Sequence, residues 1–235
     1  MSEVFLSEAM LGRMFWTDLT GSTRNAEAAS DVANVIFPHS EQVGQGFPTQ
    51  TGSISRRSAE LLWLIARYFR PKTIAEVGTF IGRSTLSLYQ GAKPSLEMLA
   101  TCDFSYDTWR APPGDAANKI RYFGKTSSTQ MFQTLAAEKK KIDLFLIDGR
   151  LAQEDLPLLD TLVHDRTIFV LDDFEGIEKG VANALMLRQK YNGLLLLVPE
   201  NPPHAGWNES HSIALMFSAG IIRLTRQQRL PLELM

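Results

Sequence analysis

One stretch and four carboxylates carry the chemistry that can be read from this chain. Glu76-Val77-Gly78-Thr79-Phe80-Ile81-Gly82-Arg83-Ser84 sets two glycines four positions apart, directly after a β-branched run. Glycine allows a tight turn and lets the backbone come close to a bound group. The spacing is G-x-x-x-G and not the dinucleotide fingerprint G-x-G-x-x-G. Asp103 lies 21 residues past Gly82, about the distance at which a carboxylate at the end of a second strand reaches ribose hydroxyls in open α/β sheets. Asp148 closes the apolar run Leu144-Phe145-Leu146-Ile147, and Asp172 and Asp173 close Phe169-Val170-Leu171. If those runs are neighbouring parallel strands, the three carboxylates meet on one rim and repel one another. A hard divalent cation held through oxygen ligands would relieve the repulsion. It could also orient a hydroxyl and lower its pKa.

The elements that must position these groups follow from periodicity. Leu61, Leu64, Ile65 and Tyr68 repeat at helical spacing until Pro71 stops the pattern. Strands are expected over 73–77, 96–102 with Asp103 at its end, 120–123, 142–147, 167–171, 194–198 and 213–217. Helices are expected from 84 to 90, 128–140, 154–162 and 177–191, and 107–118, with Pro112, Pro113 and Gly114, reads as a loop. Alternating strands and helices specify an α/β fold: a Rossmann-like, seven-stranded, mostly parallel sheet with helices on both faces. Only a polar loop joins the last two strands, so an antiparallel hairpin is expected at the sheet edge. Residues 1–52 read as an N-terminal helical arm or cap, 53–220 as the α/β domain that carries these groups and 221–235 as a solvated tail.

Composition excludes several classes. With 24 Lys+Arg against 26 Asp+Glu, the chain has no general electrostatic reason to bind nucleic acid or an anionic membrane. Its longest strongly apolar run, 194–198, is far short of the roughly 20 residues that span a bilayer. The first twenty residues mix charged and apolar positions, unlike a secretory signal. The single Cys102 rules out an internal disulfide and a multi-cysteine zinc site, and a cytoplasmic setting is the expectation.

On the glycine stretch and Asp103, the chain resembles the class I S-adenosylmethionine (SAM) methyltransferases over roughly residues 53–218. The resemblance implies that Gly78 and Gly82, with Thr79 and Phe80 between them, let the backbone approach the methionine part of SAM. Ser84 would bind its carboxylate, Glu76 would sit by its amino group and Asp103 would hold the ribose. Thr126 and Ser127, in Gly124-Lys125-Thr126-Ser127 after the third strand, would line the adenine.

The carboxylates after strands four and five look like those of the metal-dependent small-molecule O-methyltransferases, the catechol, caffeoyl-CoA and antibiotic sugar type. By that resemblance Asp148, Asp172 and Asp173 would hold a divalent cation, magnesium foremost, and Asp148 would be the catalytic residue beside the cofactor. The sequence departs from the pattern where relatives carry a Lys or Asp just past the strand-four acid. Arg150 and Leu151 stand there, and Arg is no general base because it stays protonated. His204 and His211 could approach the site but read as surface histidines, and His164 as structural.

The resemblance further implies that residues of the arm and of two loops cover the acceptor. Phe15, Trp16, Phe47, Trp109 and Trp207 lie in those segments and together hint at a partly apolar small-molecule acceptor, although each read alone is packing. A homodimer built on the arm is an expectation of the same kind. Two other readings stay open: a SAM-binding regulatory or assembly protein without methyl transfer, and an NAD-dependent oxidoreductase, which the missing G-x-G-x-x-G disfavours.

Overall fold

The computed structural model describes residues 8–21, 24–46, 53–107, 109–112, 114–175, 178–201, 206 and 209–218. Seven strands form one sheet: β1 Thr73–Val77, β2 Met98–Asp103, β3 Ile120–Gly124, β4 Leu144–Ile147, β5 Ile168–Leu171, β6 Leu194–Leu197 and β7 Ala214–Ser218. Their order is β3-β2-β1-β4-β5-β7-β6. Pairing is parallel from β3 through β5, and β7 enters antiparallel between β5 and β6. The expected Rossmann-like sheet with an antiparallel edge hairpin is therefore present.

Register decides which residues share the rim. Val77 of β1 stands opposite Ile147 of β4, and Ile147 opposite Leu171 of β5. The next residues, Gly78, Asp148 and Asp172, consequently emerge side by side at the carboxyl ends of the strands. β1 and β4 also flank the point where strand order reverses, the crevice in which open α/β sheets bind ligands.

The helices are α1 Glu8–Thr20, α2 Asn25–Asp31, α3 Phe37–Val43, α4 Arg56–Phe69, α5 Arg83–Ala92, α6 Asp115–Lys119, α7 Ser128–Ala137, α8 Asp155–Leu162 and α9 Lys179–Lys190. A π-helical stretch, Val32–Ile36, joins α2 to α3. Local chemistry sets their ends. The Ser55 hydroxyl accepts from the Ser58 amide to start α4, and Arg70 ends it in a left-handed conformation before Pro71. Ser127 and Gln130 form a capping box at α7. The short helix α6 corrects the expectation of a loop throughout 107–118: Asp115 and Lys119 stand one turn apart and pair at 3.2 Å.

Alternation along each strand feeds two cores. Ile74, Leu144, Leu146 and Val170 pack with α4, α5 and the N-terminal helices, whereas Ala75, Phe145, Ile147 and Phe169 pack with α7, α8 and α9. Trp16, Leu19, Ala28, Val32 and Ile36 belong to the first core, so the N-terminal segment packs on the sheet side of the molecule through buried apolar area. The Trp16 indole also donates to the Val198 carbonyl at 2.7 Å. No helix among the described residues is long and apolar enough to cross a membrane.

Candidate active site

Glu76 projects on the same face of β1 as Ile74, toward the first turn of α5. It is fully buried. The Thr85 hydroxyl donates to Glu76 Oε2 at 2.5 Å, and Oε1 has no hydrogen-bond partner among the described residues. Burial raises the Glu76 pKa, the neighbouring hydroxyls of Ser84, Thr101 and Thr85 oppose the rise, and the Asp103 charge adds to it. A buried carboxylate with one oxygen unpaired favours a cationic partner, such as an amino group.

The turn after β1 has the backbone its glycines permit. Gly78 has φ +103° and Gly82 φ +80°, and Phe80 between them also takes a positive φ, 44°. A side chain at Gly82 would overlap the Trp109 indole, and one at Gly78 would press on the Asp148 backbone. Asp103 anchors the turn to β2. Its Oδ2 accepts from the Phe80 amide at 2.7 Å, and its Oδ1 accepts from the Ser105 and Tyr106 amides at 2.9 and 2.8 Å. A carboxylate offers about four acceptor positions, so one stays available to a hydroxyl of a ligand. The Thr79 hydroxyl meets that of Thr101 at 2.6 Å. Thr126 turns its hydroxyl onto the Gly124 carbonyl, and the Ser127 hydroxyl is committed to the cap of α7. Orphaned Glu76 Oε1 and the remaining Asp103 acceptor position fit the amino and ribose parts of SAM.

Arg83 was not singled out from the sequence. The residue is 5% exposed, and its guanidinium ties the N-terminal segment to the glycine turn. It donates to the Ser40 hydroxyl at 3.1 Å and the Ser53 hydroxyl at 2.6 Å, lies 4.1 Å from the Phe37 ring centroid and pairs with Glu41 at 3.8 Å. Ser53 and Ile54, held in this way, line a crevice with Thr79, Phe80, Ile81, Ser84 and Asp148.

The three acids after β4 and β5 do meet, but in the company of a lysine that sequence reasoning missed. Lys179 Nζ lies 2.8 Å from Asp148 Oδ1 and 3.0 Å from Asp173 Oδ2. Asp172 accepts instead from the Ser212 hydroxyl at 2.7 Å. Burial raises the Asp148 pKa well above the ordinary range; the Asp172 charge adds to this and Lys179 opposes it. Burial likewise raises Asp172, with the Ser212 hydrogen bond opposing. Burial alone would lower the Lys179 ammonium, yet the Asp148 and Asp173 carboxylates outweigh it and raise the pKa. Among the described residues no cluster of His, Cys, Asp and Glu side chains is gathered as a set for a metal ion. The three carboxylates as arranged do not fit magnesium, because an ammonium stands between two of them. The only sequence signal for Lys179 was its place six residues past Asp173, on the rim side of a helix start.

Beside Asp148 opens a cavity of 280 Å³. Its walls are mostly polar: Ser55 and Ser58 from α4 and its cap, Lys179, Asn201, His211 and Ser212. Among the described residues, none of the expected aromatic cover lines it. Phe15 packs on Tyr68 and Phe69, and Trp16 and Trp109 are buried in the first core; Phe47 and Trp207 lie outside the described residues, as does His204. His211 is not a surface residue. It is 7% exposed, accepts from the Ile213 amide through Nδ1 and stands against Trp16. His164 is structural as expected, with Nε2 3.0 Å from Asp143. Arg150 is exposed.

No family model and no curated protein matches the chain. Solved structures do. The SAH-bound methyltransferase PaMTH1 of Podospora anserina aligns over 93% of this chain and 99% of its own, with TM-score 0.54 and 14% identity. An O-methyltransferase from Bacillus cereus in complex with SAH gives TM-score 0.53 at 14% identity, covering 88% and 96%. TomG from Streptomyces achromogenes, an O-methyltransferase of tomaymycin synthesis in complex with SAM, gives 0.51 at 13%, covering 88% and 95%. At such identities the likeness is one of architecture: the chain has the fold of the class I SAM-dependent O-methyltransferases.

Proposed function

We propose that this protein is a SAM-dependent methyltransferase acting on a hydroxyl of a polar small molecule. One observation carries the proposal: Asp148 stands between the glycine turn, whose Gly78 lies against its backbone, and the 280 Å³ cavity that it walls. A cofactor in the first and an acceptor in the second would meet across one carboxylate. SAM, when bound, supplies a methyl group already activated by its sulfonium charge.

The chain's own residues then have distinct tasks. Glu76 offers an unpaired carboxylate oxygen to the amino group, the Gly78–Gly82 turn lets the backbone approach, and Asp103 receives a ribose hydroxyl. Asp148, whose basicity burial raises, accepts the proton of the acceptor hydroxyl. Most of the rate enhancement comes from proximity and orientation, which the rigid rim provides. The serine-rich, charged cavity favours a hydroxylated acceptor over the partly apolar one suggested by the aromatic residues. The divalent cation is left out of this reading, since Lys179 engages Asp148 and Asp173. The proposal keeps the cytoplasmic setting, in line with a single, buried Cys102.

Calorimetry with SAM, SAH and NAD tests the cofactor assignment, with binding expected for the first two. An absence of SAM binding would sink the proposal, and NAD binding would revive the oxidoreductase. Turnover of a panel of sugars and catechols separates an enzyme from a SAM-binding regulator.

A further inference from the structure

Lys179 resolves the repulsion among the rim carboxylates in a way that also says what the site can bind. Its ammonium lies 2.8 Å from Asp148 and 3.0 Å from Asp173. Magnesium would need oxygen ligands at about 2.0–2.1 Å in an octahedron, and it cannot share that space with an ammonium. The remaining acid, Asp172, is engaged by Ser212. Coulomb repulsion between two like cations a few ångströms apart adds to the exclusion.

The lysine is held there by the fold and is not a side chain that happens to reach across. It is the first residue of α9, the end of a helix where the backbone dipole disfavours a cation, so its carboxylate partners must offset that placement. Gly180 follows it, and any side chain there would strike the Asp172 and Asp173 backbone; α9 thus presses its first turn directly on the acids. One turn further, on the same face, the buried Asn183 donates to the Gly149 carbonyl at 2.8 Å and accepts from the Leu151 amide at 3.1 Å. α9 is thereby clamped to the loop that follows Asp148. Two of the three ammonium donors go to the carboxylates, and the third has no partner among the described residues, at the wall of the cavity.

We propose that Lys179 is a built-in cation. It takes the place that a divalent ion would take among Asp148, Asp172 and Asp173, blocks metal binding there, and offers its remaining N–H to an acceptor oxygen in the cavity. The acceptor role rests on the methyltransferase reading; the exclusion of metal does not.

Mn²⁺ binding, followed by electron paramagnetic resonance and by thermal melting, tests the proposal on the full chain. The wild type and Lys179→Arg should bind no Mn²⁺ at this site. Lys179→Met should bind it at millimolar concentration and melt higher in its presence, and adding Asp148→Asn should abolish both effects. Lys179→Gln, closer in polarity, serves if circular dichroism shows the Met variant unfolded. Mn²⁺ binding by the wild type that Asp148→Asn removes would overturn the proposal, as would folded Lys179 variants that gain no Mn²⁺. SAM calorimetry on the same samples reads the methyltransferase assignment separately, because a failure there leaves the Mn²⁺ comparison unchanged.

Discussion

Thr85 donates its hydroxyl to Glu76 Oε2 at 2.5 Å, and Glu76 Oε1, buried beside it, has no partner among the described residues. A fully buried carboxylate left half-satisfied costs stability, and binding of a cationic amino group would recover it. Glu76→Gln should therefore weaken SAM binding by about 1.5–3 kcal/mol, the worth of a charge-assisted hydrogen bond, without lowering thermal stability. The pH dependence has a definite sign. Burial raises the folded pKa of Glu76, so its contribution to stability falls as pH rises from the unfolded value through the folded one. The Gln variant should gain on the wild type across that interval, as read by denaturant titrations at stepped pH.

Gly82 has no substitute at its position. It combines φ +80° with the Trp109 indole standing where a Cβ would go. Gly82→Ala should cost more than about 2 kcal/mol through backbone strain and overpacking. Gly46 also has a positive φ but open space around it, so Gly46→Ala should cost about 1 kcal/mol. Urea unfolding of the pair separates conformational strain from steric overlap, and equal losses would contradict the assigned contact.

Arg83 joins the N-terminal segment to the cofactor turn, and its removal should be felt at both ends. Arg83→Met keeps the stem but loses the bonds to Ser40 and Ser53 and the stacking on Phe37. The expected loss is about 2 kcal/mol of stability, the worth of hydrogen bonds to a charged group, with faster amide exchange over 37–46 and at 53–54 and weaker SAM binding. Exchange confined to α5 would show that the guanidinium does not secure the arm.

His211 gives the protein an acid-sensitive spot. Burial, with the Arg57 charge, pushes its pKa down to about 4 from 6.5. The unfolded chain then binds the extra proton between those values, so stability is full above pH 6.5 and lost as pH falls toward 4. The shift corresponds to about 3 kcal/mol. His211→Gln lacks this liability, and its stability relative to the wild type should improve steadily from pH 7 to pH 4.

The sequence by itself determined the strand order of chemistry along the chain. Apolar runs ending in Asp103, Asp148 and Asp172 are strands because buried parallel strands need both faces apolar. The glycine turn is legible because positive φ at Gly78 and Gly82 demands glycine. What only the tertiary structure decided depends on contacts between residues distant in the chain. Lys179 reaches Asp148 because α9 is clamped by Asn183 and pressed in at Gly180, neither of which has a periodic signature. Trp16 and Trp109 are core and not cover because burial is a property of the packed helices and not of aromatic type. Ser127 has a hydroxyl suited to a ligand, yet its place before Ser128-Thr129-Gln130 commits it to a helix cap. Charge pairing across the sheet rim, a matter of a few ångströms, set Lys179 between Asp148 and Asp173, a contact with no counterpart in the sequence pattern.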